Sequence, residues 1–272
     1  MSSRTAGVPV HGNYHGYYNK RPFSHDPRLG LLPGSLFSGR RVLDVGCNEG
    51  WVTCEIAQRL GAQRVVGVDI DDTLVRAAWK HRRSVWSQQH PATVERNETS
   101  EPLNGSRKRK RTSAPEAHLE RPGVPDYFPA SCEHMFGPLP IPAATSQEDA
   151  TDVFPHNVVF RTADWVHDEI PDDAEGYHVV IAFSISKWIH LNSGDEGLMK
   201  FFRRVHQVLK PGGTFVLEPQ EWDTYAKARR MDPKLKDNAK KLKLRPDDFE
   251  RVLQEIGFGP AEHLGSAGEG GT

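Results

Sequence analysis

The clearest candidate for chemistry in this sequence is a glycine turn followed by an aspartate. The stretch RRVLDVGCNEGWV, residues 40–52, reads as an apolar strand, a turn with Gly46 and Gly50, and the start of a helix. We expect Gly46 to keep side chains away from a ligand and Gly50 to let the helix pack on the strand. Asp69 ends the next apolar run, where an acid commonly binds both hydroxyls of a ribose. A plain strand–turn–helix with a surface aspartate is the alternative, but the combination favours a nucleoside site.

The spacing around the turn narrows the kind of nucleoside. A dinucleotide fingerprint needs three glycines and a phosphate-binding loop needs Gly-Lys-Ser/Thr, and the sequence has neither. Asp44-x-Gly46 instead resembles the acidic-x-glycine pattern of S-adenosylmethionine-dependent methyltransferases, in which an acid suits the cationic methionine end. Farther along the chain, Asp164 is placed to reach an adenine edge. Trp165 either stacks on that ring or belongs to the core.

These residues need a framework, and the apolar patterning predicts one. Strands alternate with helices and are apolar throughout, which is typical of a parallel sheet covered on both faces. The predicted fold class is therefore α/β, with a doubly wound, mostly parallel sheet of the Rossmann-like methyltransferase kind. The five predicted strands are 41–46, 64–70, 157–165, 176–186 and 214–220. The predicted helices are 49–61, 72–88, 196–213 and 245–258, with partial helix in 223–244 and a loop at 187–195.

The chain divides into a short arm and one interrupted domain. Residues 1–39, rich in Gly, Pro, Tyr and His, form the arm, and residues 40–272 form the domain. From about 90 to 156 the periodicity is lost and Pro and Ser are frequent, so we expect a long, mostly disordered insertion. Its basic run RKRKR, residues 107–111, favours nuclear import or a phosphate tether over a plain solvated cluster.

Composition argues against several classes of protein. The 272 residues carry a net charge of −1, so any surface for nucleic acid must be local. The three cysteines include no CxxC pair, which argues against a disulfide framework or a zinc ribbon and fits a reducing compartment, and no metal is expected. The sequence also has no apolar run long enough to span a membrane and no pattern of a secretory leader.

Five stretches together resemble one family. They are the turn LDVGCNEG, the strand end VGVDID, GNYHGYYNKR at 12–21, FSISKWIHLNSGDEGL at 183–198 and LEPQEW at 217–222. In order and spacing they resemble the methylphosphate capping enzymes, the bicoid-interacting type of RNA methyltransferase, in which Gly-Cys-Asn is the normal form of the turn. The resemblance implies S-adenosylmethionine-dependent methylation of a 5′-terminal phosphate of a small noncoding RNA. Some members act on the γ-phosphate, and a sister branch acts on 5′-monophosphates.

The resemblance also implies which residues bind the cofactor. By motif position these are Tyr17, Arg28, Gly46, Cys47, Asn48, Asp69, Ile70, Asp164, Trp165 and Phe183. Where the family commonly has Asn-Tyr, this sequence has Asp164-Trp165, so we expect the adenine contact to differ in detail.

Transfer of a methyl group to a phosphate sets modest chemical demands. A phosphate oxygen is already anionic near neutral pH, so positioning replaces a strong general base. The phenols and cations of the arm, Tyr17 and Arg21 among them, suit a mobile arm that closes over cofactor and RNA end. Lys187 is assigned to phosphate binding and His190 to helping it, with a purely structural histidine as the alternative. These four are the candidate catalytic residues.

The last part of the chain leaves alternatives open. The basic stretch 235–245 either follows the RNA backbone or is a solvated helix face. The family domain usually ends in two further strands, whereas the tail IGFGPAEHLGSAGEGGT has room for one short strand. We therefore expect either a truncated chain or a smaller sheet that lacks C-terminal strands.

The function expected from these features is capping of the γ-phosphate of a small noncoding RNA by a nuclear, monomeric methyltransferase. Ribonucleoprotein proteins are further expected partners. Two other hypotheses stay open. One is a methyltransferase of the same fold that acts on protein or small molecules. The other is a non-catalytic RNA-binding chaperone of a small ribonucleoprotein.

Overall fold

The framework of the protein is one five-stranded parallel sheet. The computed structural model describes residues 9–18, 25–88, 130–142 and 152–265. In sheet order the strands are β3 (Val158–Thr162), β2 (Arg64–Asp69), β1 (Arg41–Val45), β4 (Tyr177–Phe183) and β5 (Leu209–Glu218). Each neighbouring pair is parallel, and the order reverses between β1 and β4. The doubly wound α/β fold predicted from the apolar runs is confirmed.

Seven α-helices occur in the described residues. They are α1 (Trp51–Arg59), α2 (Asp72–Gln88), α3 (Ala130–Phe136), α4 (Ser186–Val208), α5 (Trp222–Ala228), α6 (Pro233–Ala239) and α7 (Phe249–Ile256). Within those ranges no helix combines the length and apolar character needed to cross a membrane. Nor do three His, Cys, Asp or Glu side chains come together there as ligands for a metal ion.

The core lies on both faces of the sheet, because successive residues of a strand point to opposite faces. Val42 pairs with Val65 and Val179, and this row packs with α1 and α2 on one face. The next row joins Leu43, Val66 and Val180, and it packs on the other face with Phe201 and Phe202 of α4. Both faces of the central strands are therefore buried, which explains why their sequences are apolar without alternation.

The loop predicted at 187–195 is wrong, since α4 begins at Ser186 and continues through this stretch. The Ser-Gly-Asp cluster that favoured a loop makes only a local break at Gly194, where φ is 71° and ψ is −172°. Trp188 and Leu191 are buried three residues apart on one helix face, and this contact with the rest of the fold outweighs the local turn signal. The helix ends at Val208, and residues 209–213, which the sequence placed at the end of the helix, lie inside β5.

Part of the expected disordered insertion has regular structure. Helix α3 lies within it, and the segment that follows is held against α2. Arg83 donates from Nε to the carbonyl of Leu139 at 2.9 Å, and Ser87 Oγ accepts the amide of Leu139 at 2.7 Å. The basic run 107–111 lies outside the described residues. At the other end, the described residues 257–265 contain no strand after α7.

Candidate cofactor and substrate cleft

Most of the residues singled out from the sequence meet in a cleft at the carboxyl ends of β1, β2 and β4. This is the point where the strand order reverses, which is the usual ligand crevice of an open α/β sheet. Its lining comes from the arm, the glycine turn, the end of β2, the segment after β3 and the start of α4. Among the lining residues are Tyr17, Arg28, Gly46, Cys47, Asn48, Asp69, Ile70, Asp164, Trp165, Phe183 and Lys187.

The two glycines of the turn are required for different reasons. Gly46 has φ of 80°, and a Cβ there would lie 2.3 Å from Cγ2 of Ile185. Gly50 has φ of 77°, and its Cβ would lie 2.7 Å from the ring of Phe160 and 2.9 Å from Ala78. Close packing of helix and sheet at Gly50 was expected. The sequence suggested that a side chain at Gly46 would block the ligand. The structure shows that it would also clash with the side chain of Ile185.

The backbone conformation and the side-chain hydrogen bonds of Asn48 explain why the turn carries an asparagine. Its backbone has φ of 50°, a left-handed conformation that asparagine tolerates better than most residues. Its Oδ1 accepts the amide of Glu49 at 2.8 Å, and its Nδ2 donates to the carbonyl of Tyr14 at 3.3 Å. The side chain therefore stabilises the turn and holds the arm against it.

Asp69 is fixed in place at the end of β2. Its Oδ2 accepts the amide of Asn48 and its Oδ1 accepts the amide of Asp71, each at 2.9 Å. Burial raises the pKa of Asp69, and the two amide hydrogen bonds oppose that rise. Because a carboxylate has about four acceptor positions, each oxygen of Asp69 can accept a further donor such as a ribose hydroxyl.

Asp44 lies deeper, at the floor of the cleft. The hydroxyl of Thr53 donates to its Oδ2 at 2.6 Å. Burial raises the pKa of Asp44 to about 7. The acid of the Asp44-x-Gly46 pattern is therefore close to the boundary between neutral and charged at physiological pH.

Arg28 also lines the cleft and is held by two acids. It donates to both oxygens of Asp26, at 2.6 and 2.8 Å, and from Nη1 to Glu218 at 2.9 Å. Its guanidinium lies 4.6 Å from the centre of the Phe183 ring. Burial alone would lower the pKa of Arg28, but the hydrogen bond to Asp26 and the nearby acids raise it, so the group stays charged.

Residues 9–18 of the arm lie over the cleft and are hydrogen-bonded on two sides. Gly16 donates its amide to Glu49 at 3.0 Å, and Asn13 donates from Nδ2 to Asp71 at 2.7 Å. On the α4 side, Asn192 donates to the carbonyl of Val10 at 2.8 Å. Tyr17 belongs to this segment and lines the cleft. Arg21 lies outside the described residues, so its role stays a prediction from the sequence.

Lys187 is a buried ammonium in the cleft. Its Nζ lies 3.2 Å from Oγ1 of Thr224 and 5.3 Å from the centre of the Trp188 ring. The Thr224 hydroxyl donates to the carbonyl of Glu221 at 2.7 Å, so it accepts from Lys187. Burial, with a smaller contribution from the charge of Lys227, lowers the pKa of Lys187. No carboxylate within the described ranges lies at ion-pair distance from this ammonium.

His190 is not placed to touch a ligand, contrary to the sequence assignment. The residue is fully buried and does not line the cleft. Its Nδ1 lies 3.2 Å from the hydroxyl of Tyr225, and its Nε2 lies 2.7 Å from Oδ1 of Asp195. Both ring nitrogens are thus used inside the protein, which fits the structural alternative.

Trp165 and Cys47 also direct their side chains into the protein. Trp165 is 3% exposed, donates from Nε1 to Asp173 at 3.1 Å, and has the guanidinium of Arg204 at 4.5 Å from its ring. Cys47 is buried in the opposite core. Asp164 remains at the cleft, although its Oδ2 contacts Nδ1 of His167 at 2.9 Å. The buried position of Trp165 favours the core interpretation, and its stacking on a ligand ring stays a prediction.

Ile70 supplies apolar surface to the cleft directly after Asp69. It is 39% exposed, unlike the buried residues of the strand before it.

Several contacts in the cleft have no signal in the sequence. Gln220 accepts the amide of Lys187 at 3.1 Å and the hydroxyl of Ser186 at 3.2 Å, and it donates to the carbonyl of Ser184. Thr224 likewise reaches Lys187 from a separate helix. Such contacts arise only when β5 and α5 are brought beside α4, so residue type and spacing do not reveal them.

Comparison with known proteins places the site in context. The family model of Bicoid-interacting protein 3 matches residues 177–271, and a model of a general methyltransferase domain matches residues 42–101. The two matched ranges contain the start of α4 and the glycine turn, respectively.

Several relatives match over almost the whole chain, three of which illustrate the likeness. A probable RNA methyltransferase of Arabidopsis thaliana is 32% identical over 96% of this chain and 75% of its own length. The 7SK snRNA methylphosphate capping enzyme of Homo sapiens is 37% identical over 93% of this chain. The U6 snRNA methylphosphate capping enzyme Amus of Drosophila melanogaster is 29% identical over 94% of this chain and 68% of its own length. This chain spans only 36% of the length of the human relative.

Proposed function

The chain belongs to the Bicoid-interacting protein 3 family, and from this membership we propose that it methylates the 5′-terminal phosphate of a small noncoding RNA with S-adenosylmethionine. The preferred acceptor is the γ-phosphate of a 5′-triphosphate end. The names of two relatives, both methylphosphate capping enzymes of small nuclear RNA, support a phosphate of such an RNA as the acceptor. The phenols and cations of the arm suit the longer polyanion of a triphosphate end. A nuclear location and association with a small ribonucleoprotein belong to the same proposal.

The cofactor half of the cleft fits an adenosine-containing sulfonium. S-adenosylmethionine, when bound, supplies a methyl group on a positively charged sulfur. Asp69, with its orientation fixed by two amides, would accept the ribose hydroxyls, and Ile70 offers apolar surface to the base. Asp44 and Arg28 would face the methionine end of the cofactor. The acid suits the ammonium of the methionine, and the guanidinium suits its carboxylate. Gly46, Cys47 and Asn48 would contribute main-chain surface at the turn.

The single observation that carries the phosphate assignment is the position of Lys187. Its buried ammonium shares the cleft with Asp69, yet the nearby polar partner is the neutral hydroxyl of Thr224. A buried cation is stable only when it is paired or well hydrogen-bonded, and an anionic ligand would complete its environment. A terminal phosphate, already anionic at neutral pH, needs this positioning more than it needs a base.

The arm supports the same proposal from above. Tyr17 and the other phenols of residues 9–18 cover the cleft and would keep water away from the reacting groups. Arm closure uses hydrogen bonds to the glycine turn and to α4, so cofactor and substrate walls are joined by one segment.

The test is methyl transfer from labelled S-adenosylmethionine to matched small RNAs with 5′-triphosphate, 5′-monophosphate or 5′-hydroxyl ends. We expect label on the triphosphate RNA, less on the monophosphate RNA and none on the hydroxyl RNA. Preferred labelling of the monophosphate end would correct the choice of acceptor. Labelling of protein extract but of no RNA would refute the assignment, and RNA binding without transfer would favour the chaperone hypothesis.

A matched pair of variants tests the role of Lys187. Lys187→Gln should lower the affinity for triphosphate RNA by about 10- to 100-fold, the range of a hydrogen bond to a charged group. Lys200→Gln, on the exposed side of α4, is the control and should behave like the wild type. Equal affinities of the two variants would exclude Lys187 as the phosphate ligand.

Nuclear location is tested separately. Replacement of the five basic residues 107–111 by serine and glutamine in a fluorescent fusion should move the protein out of the nucleus. An unchanged distribution would leave the run as a solvated cluster.

A further inference from the structure

The buried His190 belongs to a polar network that joins α4 to α5 and to the segment before α7. Tyr225 of α5 contacts one ring nitrogen and Asp195 the other. Asp195 in turn accepts the amide of Lys243 at 2.9 Å and that of Leu244 at 3.4 Å. Three segments of the chain, α4, α5 and the residues before α7, therefore meet around His190 and Asp195.

The contacts fix the protonation of this network. Burial lowers the pKa of His190, and Asp195 opposes that fall. For Asp195, burial alone would raise the pKa, but the bonds from His190 and the two amides lower it. A charged Asp195 beside a neutral imidazole requires the proton on Nε2, so Nδ1 is an acceptor and the Tyr225 hydroxyl donates to it.

The network also reaches Lys187. Thr224, whose hydroxyl accepts from Lys187, is the neighbour of Tyr225 in the first turns of α5. On the other side, Gln220 holds the main chain of Lys187 from the end of β5. The distance between Lys187 and Thr224 thus depends on where α5 lies along α4. Besides the bond from Lys187 to Thr224 itself, the bond from Tyr225 to His190 is, in the described residues, the polar contact that joins the first half of α4 to α5.

We propose that His190, held by Asp195, is a positioning residue that sets α5 through the Tyr225 hydroxyl and so places Thr224 and Lys187 for the terminal phosphate. The proposal rests on the proposed function of the cleft. In it His190 neither touches substrate nor moves a proton in the reaction. The conservative change Tyr225→Phe, which removes one oxygen and keeps the ring against Trp222, should then weaken phosphate recognition selectively.

The measurement is the ratio of affinities for 5′-triphosphate and 5′-hydroxyl forms of one RNA, determined by fluorescence anisotropy. The ratio isolates the phosphate contact, because loss of folded protein affects both affinities alike. Tyr225→Phe should reduce the ratio by about fivefold, or about 1 kcal/mol, the usual net value of a hydrogen bond. In the transfer assay it should raise KM for RNA and leave KM for S-adenosylmethionine unchanged.

Tyr177→Phe is the matched control. Tyr177 is also fully buried and also donates its hydroxyl, to Asp173 at 2.9 Å, but it begins β4 at the edge of the sheet opposite the cleft. It should lower thermal stability to a similar degree and leave the affinity ratio at the wild-type value. If both variants leave the ratio unchanged, or both reduce it equally, the positioning role is wrong.

A second variant protects the test if Tyr225→Phe does not fold. Asp195→Asn keeps the size of the side chain and one acceptor, but it removes the charge that fixes the His190 tautomer. It should reduce the ratio in the same direction, and an unchanged ratio would overturn the proposal. Wild-type protein without phosphate preference would instead refute the proposed function, so the two failures are distinguishable.

Discussion

The carboxylate of Asp69 accepts the main-chain amide of Asn48 at 2.9 Å, and this bond joins the end of β2 to the turn after β1. The second oxygen is fixed in the same way by the amide of Asp71. The acid is thus oriented by the fold before any ligand arrives. A ligand that binds Asp69 gains hydrogen bonds without the cost of ordering the side chain, which is how a preorganised site increases affinity.

Replacement of Asp69 should therefore affect the cofactor strongly. Asp69→Ala removes a charged acceptor and leaves two buried amides without their partner, so affinity for S-adenosylhomocysteine should fall by about 10- to 100-fold. Isothermal titration calorimetry measures this directly. The exposed Asp168→Ala, on the turn after β3, is the control. Wild-type affinity in Asp69→Ala protein that remains folded would mean that the nucleoside binds elsewhere.

The left-handed backbone at Asn48 gives a second prediction. Asn48→Ala and Asn48→Gly both lose the bond to the arm carbonyl of Tyr14, but only alanine is strained at φ of 50°. We expect Asn48→Ala to be less stable than Asn48→Gly by about 1 kcal/mol in urea unfolding. Hydrogen exchange of the amides of residues 9–18 should be faster in both variants. Equal stabilities would show that the turn does not require the left-handed conformation.

The sequence was sufficient where local pattern determines structure. Apolar runs located all five strands, since a doubly covered parallel strand must be apolar on both faces. Glycine spacing located the turn, because a close approach such as that of Gly50 to Phe160 excludes any side chain. The pattern failed at 187–195, where packing of Trp188 and Leu191 extends α4 through a segment that reads locally as a loop.

The direction of side chains was the part that the sequence did not determine. Motif position placed Lys187 and His190 together, yet in the helix one lines the cleft and the other lies in the core three residues later. Trp165 similarly left two interpretations open, because a tryptophan after a strand suits either a ligand ring or a core. Only the tertiary neighbours, Thr224 for Lys187 and Asp173 for Trp165, decide these cases.

Asp44 predicts a pH dependence of stability. Burial raises its pKa from 3.8 to about 7, so between these values the unfolded chain loses its proton before the folded protein does. Stability contributed by this group is therefore lost as pH rises through that window, and the loss is complete above about pH 7. Asp44→Asn should remove this effect. Relative to the wild type, the free energy of unfolding of the variant should therefore increase by up to a few kcal/mol between pH 4.5 and pH 8, at about 1.4 kcal/mol for each pH unit of the window. Urea unfolding of both proteins at pH 4.5 and pH 8 measures this change. The same difference in free energy of unfolding between variant and wild type at both pH values would contradict the prediction.

Lys227 predicts a pH dependence of phosphate binding. After burial, its charge is the next cause that lowers the pKa of Lys187, so Lys227→Gln should raise that pKa. The affinity for 5′-triphosphate RNA relative to 5′-hydroxyl RNA should then decline at a higher pH than in the wild type. Anisotropy titrations from pH 7 upward follow the decline, with Lys200→Gln as the control of equal charge. A shift in the control as large as that in Lys227→Gln would assign the effect to net charge.

Trp165 and Ile70 give opposite expectations, because one is inside the core and the other faces the cleft. Trp165→Phe loses the hydrogen bond to Asp173 and should lower the free energy of unfolding by about 1–3 kcal/mol, with affinity for S-adenosylhomocysteine close to wild type. Ile70→Ala removes a side chain that is already 39% exposed, so stability should change little. Its affinity for the nucleoside should fall by about tenfold, the effect of lost apolar contact with a base. If Trp165→Phe instead had a reduced affinity for S-adenosylhomocysteine and normal stability, Trp165 would be a ligand contact.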